Sequence, residues 1–294
     1  MNNITNYSLP LAIALLLPHG LHAATTWTGG TSDFATPSNW DNNSPGNAAD
    51  DGSNNVATIN NGDSVNLTSN YSATNQYNLK IGGNSTLNAS ADFTATGLVI
   101  QSTGTVSLTG GNFTLPKTSV NNNGSGAKGT LNINSGGVLN ITGGNHIFSE
   151  RSTVNGIFRV TGSTSTISLN QIGTANGTFD FIFDSAGIST INGDQNFPWF
   201  SIAGASLSID GSAYTGGTQT FDLLSSTDGA GAFTTRGLSV SGFNASEYNT
   251  AFEQVTEGGR RIERLVVTAV PEPSSFSLLG LGGLALMMSR RKSS

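Results

Sequence analysis

The sequence predicts an all-β protein whose central part is a parallel β-solenoid, or β-helix, with an antiparallel cap at its C-terminal end. Gly, Asn, Ser and Thr dominate the 294-residue chain, while charged residues make up only 10% of it and strong helix formers are scarce. Short segments in which apolar and polar residues alternate recur along the chain. No cysteine is present, so packing and backbone hydrogen bonds must hold the fold together.

Residues 1–23 are predicted to be an export signal. The apolar run from Leu9 to Pro18 has the length of a signal-peptide core, and Ala23 or Ala24 is the small residue expected before the cleavage point. The start of the chain lacks the lysine or arginine that signal peptides usually carry. A buried element of the fold is the alternative interpretation of this run.

Residues 24–78 are predicted to form an N-terminal cap and the first strands. Trp27 and Trp40 lie in a turn-rich stretch, and large aromatic side chains can cover the open end of a stack of strands. Stacking of the two indole rings on sugars is the alternative. The stretch resembles the opening segment of autotransporter-like bacterial surface proteins, in which Trp-x-Gly and Asn-Trp precede a repeat array. This resemblance implies a body made of β-repeats.

Residues 79–219 are predicted to form the solenoid itself. Comparable alternating segments begin at Leu79, Leu98, Leu131, Phe158, Phe179 and Leu207. Their starts are 19 to 33 residues apart, which is the size of one coil with corner loops of varying length. Each coil is expected to contain two short strands. An antiparallel β-sandwich or jelly roll would show the same alternation and is the alternative fold.

The alternation also predicts which side chains form the core, because every second residue of a strand points to the same face. One continuous core is expected from Leu131, Ile133, Leu139, Ile141, Phe158, Val160, Phe179, Phe181, Phe183, Leu207 and Ile209. Glycine pairs are expected to form corners with positive φ at Gly82-Gly83, Gly110-Gly111, Gly136-Gly137 and Gly143-Gly144.

Residues 220–269 are predicted to close the fold as an antiparallel sheet. The segments "TFDLLSST", "RGLSVSGF" and "RIERLVVTAV" resemble longer strands, and the turn signals "TDGAG" and "EGGR" lie between them. The change from short alternating segments to longer strands marks the end of the solenoid.

Residues 270–294 are predicted to be a sorting signal with a short transmembrane helix over residues 276–288. Three elements follow one another: Val270, Pro271, Glu272 and Pro273, then the apolar run, then the basic residues Arg290, Arg291 and Lys292. The basic residues oppose translocation and hold the end of the chain on the cytoplasmic side. As a helix the apolar run rises only about 20 Å, which is short for a permanent anchor in a hydrocarbon core of about 30 Å.

This order of elements resembles the PEP-CTERM sorting signal of bacterial proteins that exosortase recognises. The resemblance implies an exported protein that is held in the inner membrane by its C-terminal helix as an intermediate. It also implies that an exosortase-type membrane protease cuts the chain near the Pro-Glu-Pro triplet and that the protein then reaches the cell surface or extracellular matrix. A plain C-terminal anchor that stays attached is the alternative.

Few residues in the chain are suited to catalysis, and no catalytic residue is predicted. His146 is the one histidine that follows the export signal, and it is expected to be a solvated loop residue. The best carboxylate pair is Asp180 and Asp184, which would lie on the outer face about 13 Å apart. Glycosidase carboxylate pairs are about 5 to 9.5 Å apart, so we expect no enzyme.

Calcium is the one metal for which the sequence offers ligands. Asp50, Asp51, Asn54 and Asp63 carry the oxygen atoms that calcium prefers. They lack the spacing of an EF-hand, and Asp-Asp-Gly is common in ordinary turns. No metal site and no cofactor is therefore predicted.

The charge of the chain limits its partners. Between the two terminal signals there are nine basic and seventeen acidic residues, a formal charge of −8, which argues against nucleic acid as a partner. We expect a structural or adhesive protein of the cell surface or extracellular matrix, with extracellular polysaccharide as a candidate partner. A carbohydrate-binding or carbohydrate-cleaving β-helix is the alternative function.

Overall fold

The computed structural model of the protein describes residues 24–30, 32–41, 55–72, 77–95, 97–101, 103–115, 118–120, 129–141, 156–169, 177–193, 205–227 and 237–271. The predicted export signal and the tail from residue 272 onward lie outside the described residues. No helix within the described ranges is long and apolar enough to span a membrane.

Within these ranges the protein is all-β, with a single 3-10 turn at Pro37–Asn39. The first strands are β1 (Ala24–Thr26), β2 (Ser32–Asp33), β3 (Asn55–Ile59), β4 (Ser64–Leu67), β5 (Tyr71–Ser72), β6 (Tyr77–Ile81), β7 (Thr86–Ala89), β8 (Phe93–Thr94), β9 (Gly97–Ile100), β10 (Thr105–Leu108), β11 (Asn112–Leu115) and β12 (Thr118–Val120). The later strands are β13 (Thr130–Ile133), β14 (Val138–Ile141), β15 (Ile157–Thr161), β16 (Thr166–Leu169), β17 (Thr178–Ile182), β18 (Ile191–Gly193), β19 (Ser206–Asp210), β20 (Gln219–Thr227), β21 (Gly237–Ser241), β22 (Tyr248–Glu257) and β23 (Arg260–Ala269).

The strands form three sheets that share one core. Sheet 1 has the order β1-β3-β6-β9-β12, sheet 2 has β2-β4-β7-β10-β13-β15-β17-β19-β21, and sheet 3 has β5-β8-β11-β14-β16-β18-β20-β23-β22. From β1 to β21, strands that are consecutive in the chain belong to different sheets, and neighbouring strands within each sheet pair in parallel. This arrangement is consistent with a β-solenoid and differs from the antiparallel sandwich that alternation alone also allowed.

The number of described strands in a coil changes along the chain. From β3 to β14 each coil contributes one strand to every sheet, so the prediction of two strands for each coil is wrong there. From β15 to β22 the described strands alternate between sheets 2 and 3, but residues 170–176, 194–204 and 228–236 between them lie outside the described ranges, so two strands for each coil stays a prediction there. The strands of sheet 3 in the first coils, such as Tyr71–Ser72, are only two residues long. They are too short to show an alternating pattern in the sequence.

The inward face of sheet 2 confirms the predicted core. Leu131, Phe158, Phe179 and Leu207 lie in register on successive strands and are at most 1% exposed. A second inward column and the neighbouring corner are also buried, namely Ile133, Val160, Phe181, Ile209, Leu139 and Phe183. Ile141 belongs to β14, but its side chain lies outside the described set.

The inward face of sheet 3 carries a column of aromatic and aliphatic side chains. Successive strands place Tyr71, Phe93, Phe113, Leu139, Ile167, Ile191 and Leu224 in register. The rings of Phe93 and Phe113 are 4.9 Å apart. Burial raises the pKa of the Tyr71 hydroxyl to about 12. This column and those of sheet 2 belong to one hydrophobic cluster.

Glycine is required at the corners for two different reasons. Gly83 and Gly136 have positive φ, as predicted. Gly111 and Gly137 do not, so the prediction is wrong for them. A Cβ at Gly111 would collide with the carbonyl oxygen of Ala91 in the preceding coil, so the glycine serves close approach of the two backbones. The pair Gly143-Gly144 lies outside the described residues.

The N-terminal aromatic residues are part of the core. Trp27 and Trp40 are 1% and 2% exposed, and their rings meet edge to face at 5.2 Å. Phe34 packs edge to face on Trp40, whose indole N–H donates to the Phe34 carbonyl at 2.9 Å. Neither indole offers a free face for a sugar, so their packing agrees with a cap rather than a stacking site.

The C-terminal sheet is antiparallel, but its strands differ from those predicted. β23 pairs with β20 on one side and with β22 on the other. The segment "RGLSVSGF" contains β21, which instead extends sheet 2 in parallel with β19, so its assignment to the closing sheet was wrong. β22, which the sequence did not reveal, takes its place. The turn in "EGGR" is confirmed: Gly258 and Gly259 both have positive φ, as a two-residue hairpin loop requires.

Candidate functional site

The outward side of sheet 2 presents a flat surface that we call the polar face. From β4 to β21 its two columns are Ser64, Thr86, Thr105, Thr130, Ile157, Thr178, Ser206 and Gly237, and then Asn66, Asn88, Ser107, Asn132, Arg159, Asp180, Ser208 and Ser239. Neighbouring strands in a sheet are about 4.8 Å apart. The polar face therefore presents hydroxyl and amide groups at this spacing on seven of its eight strands, the exception being β15 with Ile157 and Arg159.

Side chains of the polar face hydrogen-bond along the stack. The amide of Asn88 donates to the Ser64 hydroxyl at 3.1 Å and to the Asn66 oxygen at 3.3 Å. The amide of Asn132 donates to the Ser107 hydroxyl at 3.1 Å, while its own oxygen is buried without a partner. These bonds link successive coils and use part of the hydrogen-bonding capacity of the polar face.

The polar face is electrically neutral because its two charged residues pair. Arg159 Nε lies 2.7 Å from Asp180 Oδ2 on the next coil. They are 21 residues apart in the sequence and meet through the register of β15 and β17. Asp180 is thus held by a cation, which leaves no free carboxylate in these two columns between β4 and β21.

Asp184, unlike Asp180, lies in a turn. Its carboxylate accepts two hydrogen bonds from Ser163, through the backbone N–H and the hydroxyl, and one each from the N–H groups of Ala186 and Gly187. Burial raises the pKa of Asp184, but these four bonds to the charged form outweigh it and leave the pKa below its ordinary value. The residue therefore stabilises the corner between two coils.

A shallow groove of about 500 Å³ lies on the outer side of sheet 3 near its C-terminal end, lined by Ile188, Thr190, Thr220, Phe221, Asp222, Glu257 and Arg264. Arg264 Nε lies 2.7 Å from Asp222 Oδ1, and its terminal nitrogen lies 3.0 Å from Glu257 Oε2. The bond to Asp222 is the main reason that the pKa of Arg264 is raised. The groove thus contains two carboxylates joined by one guanidinium.

Glu263 is a buried acid that the sequence reading missed. It lies on β23 opposite Leu224 and Gln254, so it continues the inward apolar column of sheet 3, and it is fully buried. Gln254 Nε2 donates to its Oε1 at 2.8 Å, and its Oε2 has no partner. Burial raises the pKa of Glu263 to about 7, although the bond from Gln254 lowers it slightly.

Of the residues considered for metal binding, only Asp63 lies within the described part of the chain. No group of three or more His, Asp or Glu side chains that could hold a metal ion occurs among the described residues. Asp63 accepts hydrogen bonds from the Trp27 indole at 3.0 Å and from Asn61 at 2.7 Å, so it supports the N-terminal cap. Asp50, Asp51, Asn54 and His146 lie outside the described ranges.

The described part of the body ends where the predicted sorting signal begins. Ala269, the last residue of β23, donates its N–H to the Thr218 hydroxyl at 2.9 Å. The N–H of Val270 donates to the carbonyl of Glu247 at 2.7 Å. Pro271 is the last described residue, and Glu272, Pro273, Arg290, Arg291 and Lys292 lie beyond it.

The comparison with known families concerns this end of the chain. Residues 269–292 match the PEP-CTERM protein-sorting motif. The motif implies an exported surface protein that an exosortase, a membrane protease, processes from a membrane-anchored intermediate. No family match confirms the resemblance of the body to autotransporter-like repeat proteins, which stays a prediction. No curated protein and no solved structure matches the chain.

Proposed function

We propose that this protein is a structural or adhesive component of the cell surface or extracellular matrix, to which the sorting motif delivers it. The polar face is the observation that supports this proposal. It is a neutral surface made mainly of Ser, Thr and Asn groups, interrupted at Ile157 and at the Arg159–Asp180 pair and supported by a continuous core. Polysaccharides present hydroxyl groups along an extended chain, and such groups can exchange hydrogen bonds with a repeating polar surface. Extracellular polysaccharide is therefore the partner that we propose.

A non-enzymatic role agrees with the contacts of Asp180 and Asp184, the two carboxylates considered for catalysis. Asp180 is paired with Arg159, and Asp184 is saturated by donors from its own corner. The groove of sheet 3 favours a second candidate, carbohydrate binding or cleavage, because Asp222 and Glu257 lie close to one another around Arg264. A glycosidase would need two carboxyl groups free to act on the substrate, whereas both of these carboxylates are engaged by Arg264, at 2.7 Å and 3.0 Å.

The structural role is tested in cells that lack the gene. Complementation with the wild-type protein should restore the mass and cohesion of the extracellular matrix. A double variant, Asp222→Asn with Glu257→Gln, should restore them to the same extent, because the proposed role uses no carboxylate pair. Release of reducing sugars from purified matrix polysaccharide by the wild-type protein, but not by the double variant, would instead establish the carbohydrate-cleaving alternative.

Sorting is tested at the Pro-Glu-Pro triplet. Replacement of Pro271, Glu272 and Pro273 by alanine should leave the protein exported but retained in the membrane, since the apolar run and the basic residues remain. Fractionation of cells and mass spectrometry of both ends of the mature protein would show this.

A truncated variant is the matched control for the sorting experiment. Deletion of residues 276–294 should release a soluble and folded body, because the described core does not extend beyond Val270. A permanent anchor predicts the same release but no effect of the alanine replacements. Intact C-terminal "RRKSS" on mature surface protein, in cells with a working exosortase, would rule out sorting by cleavage.

A further inference from the structure

The sorting segment leaves the body at a corner built from two loops. We call this the exit corner and define it as residues 211–218, residues 242–248, Ala269 and Val270. The first loop joins β19 to β20 and the second joins β21 to β22, so both connect sheet 2 to sheet 3. The Tyr248 hydroxyl donates to the Gly216 carbonyl at 2.9 Å and links the two loops.

The exit corner is anchored to the core up to the residue before the Pro-Glu-Pro triplet. Tyr214 is 4% exposed, and its ring lies 5.4 Å from that of Tyr248 and 5.8 Å from that of Phe243. The Tyr214 hydroxyl donates to the Gly217 carbonyl at 2.7 Å. Together with the bond from Val270 to the neighbouring loop, these contacts hold the exit point against the hydrophobic core.

The chain between this exit point and the predicted membrane helix is very short. Only residues 271–275 separate Val270 from the apolar run, so the six steps from Val270 to Phe276 span at most about 22 Å at full extension. The headgroup layer on one side of a bilayer takes up about 5 to 8 Å of that distance. Whatever conformation these residues adopt, the exit corner can stand at most about 15 Å above the headgroups while the predicted helix remains in the membrane.

The charge of the exit corner permits this approach. The body carries a formal charge of −8; the Asp210 carboxylate lies against the exit corner, where it accepts from the Ser212 N–H at 2.9 Å, and residues 211–218 and 242–248 contain one further charged residue, Glu247. Its side chain accepts a hydrogen bond from the Asn244 amide at 2.7 Å. Charges are concentrated at the opposite end of the β22–β23 hairpin, where Glu257, Arg260 and Arg261 lie. With two acids of the body's seventeen, the corner meets only part of the repulsion that anionic lipids exert on the body.

We propose that in the membrane-anchored intermediate the body rests on the bilayer with the exit corner against the lipid headgroups, held there by the short tether. This inference rests on the proposed sorting route. The folded body would then present the Pro-Glu-Pro triplet at the membrane surface, where a membrane-embedded protease can reach it. The corner fixes the position at which the triplet leaves the folded body.

The absence of cysteine from the chain allows a direct test with single labels. Ala245→Cys places a fluorophore on an exposed residue of the exit corner. Ser69→Cys is the matched control, because Ser69 is exposed in the corner between β4 and β5, which joins the same two sheets. The two positions are seven strand spacings apart in sheet 2, or about 34 Å.

Each labelled full-length protein is reconstituted into vesicles of phosphatidylethanolamine and phosphatidylglycerol that contain a lipid with a nitroxide on its headgroup. We expect quenching at Ala245→Cys to be several-fold stronger than at Ser69→Cys. Equal quenching at both positions, or none at Ala245→Cys, would overturn the proposal. Failure of the protein to float with the vesicles would refute the anchoring, and this inference with it, whereas flotation without quenching would refute this inference alone.

A longer tether tests the cause of the contact. A linker of Gly and Ser inserted after Val270, and ending in a second Ala-Val so that the motif stays intact, should reduce quenching at Ala245→Cys to the level of Ser69→Cys. Flotation of this variant should be unchanged. Quenching that persists with the linker would show that the corner binds the membrane by itself, and would overturn the tether as the cause.

Discussion

Replacement of Phe179 by alanine is expected to lower the free energy of unfolding by about 3 to 5 kcal/mol. Phe179 is fully buried, and its ring lies 6.0 Å from that of Phe158 in the preceding coil. Leu207 lies in register with it on the next coil. The truncation would leave a cavity between two coils, and the backbone hydrogen bonds of sheet 2 would limit how far the coils can close over it.

Urea unfolding followed by circular dichroism measures this loss, because the protein is almost entirely β in its described part. Thr178→Ala is the matched control, since Thr178 precedes Phe179 on β17 and points to the outward side. It should change the free energy of unfolding by less than about 1 kcal/mol. A similar effect of both substitutions would contradict the assignment of Phe179 to the core column.

Replacement of Glu263 by glutamine is expected to stabilise the protein by about 3 kcal/mol at pH 8 and to have little effect at pH 4. Burial raises the pKa of Glu263 from its ordinary value of 4.5 to about 7. The folded state therefore holds this proton more tightly than the unfolded state. Between pH 4.5 and pH 7 the wild-type protein should lose stability as the pH rises, because ionisation places an uncompensated charge in the core.

The residues around Glu263 explain why its charge is not compensated. Leu224 and Gln254 flank it on the neighbouring strands, and Leu265 follows it on the same face of β23. Arg261 shares that face two residues earlier, but the contacts of Glu263 itself consist of one amide donor and one oxygen without a partner. Glutamine keeps the shape of the side chain and its acceptor oxygen without the charge.

Thermal unfolding of the wild-type protein and the variant from pH 4 to pH 8 tests this expectation. Glu253→Gln is the control, because Glu253 is an exposed carboxylate on the adjacent strand β22. It should leave the pH dependence of the wild type unchanged. If Glu263→Gln unfolded at a lower temperature than the wild type at pH 8, the ionised side chain would have to be stabilising in the folded protein.

The sequence by itself determined the features that depend on neighbours in the chain. The alternation in "LNIN" and "FDFIFD" predicted the buried positions Leu131, Ile133, Phe179, Phe181 and Phe183, because a strand with one buried face repeats every two residues. The sorting motif was readable for a similar reason, since it is a linear order of a Pro-Glu-Pro triplet, an apolar run and a basic end.

The tertiary structure alone decided which segments pair, because pairing depends on residues far apart in the chain. β21 has the composition of a closing strand, yet its register with β19 places it in sheet 2. Arg159 and Asp180 form an ion pair only because β15 and β17 are adjacent. Alternation within "RIERLVVTAV" puts Glu263 on the same face as Leu265 and Val267, but its burial requires β20 and β22 on either side. The exit corner likewise arises from two loops that the coiled chain brings together at the start of the sorting signal.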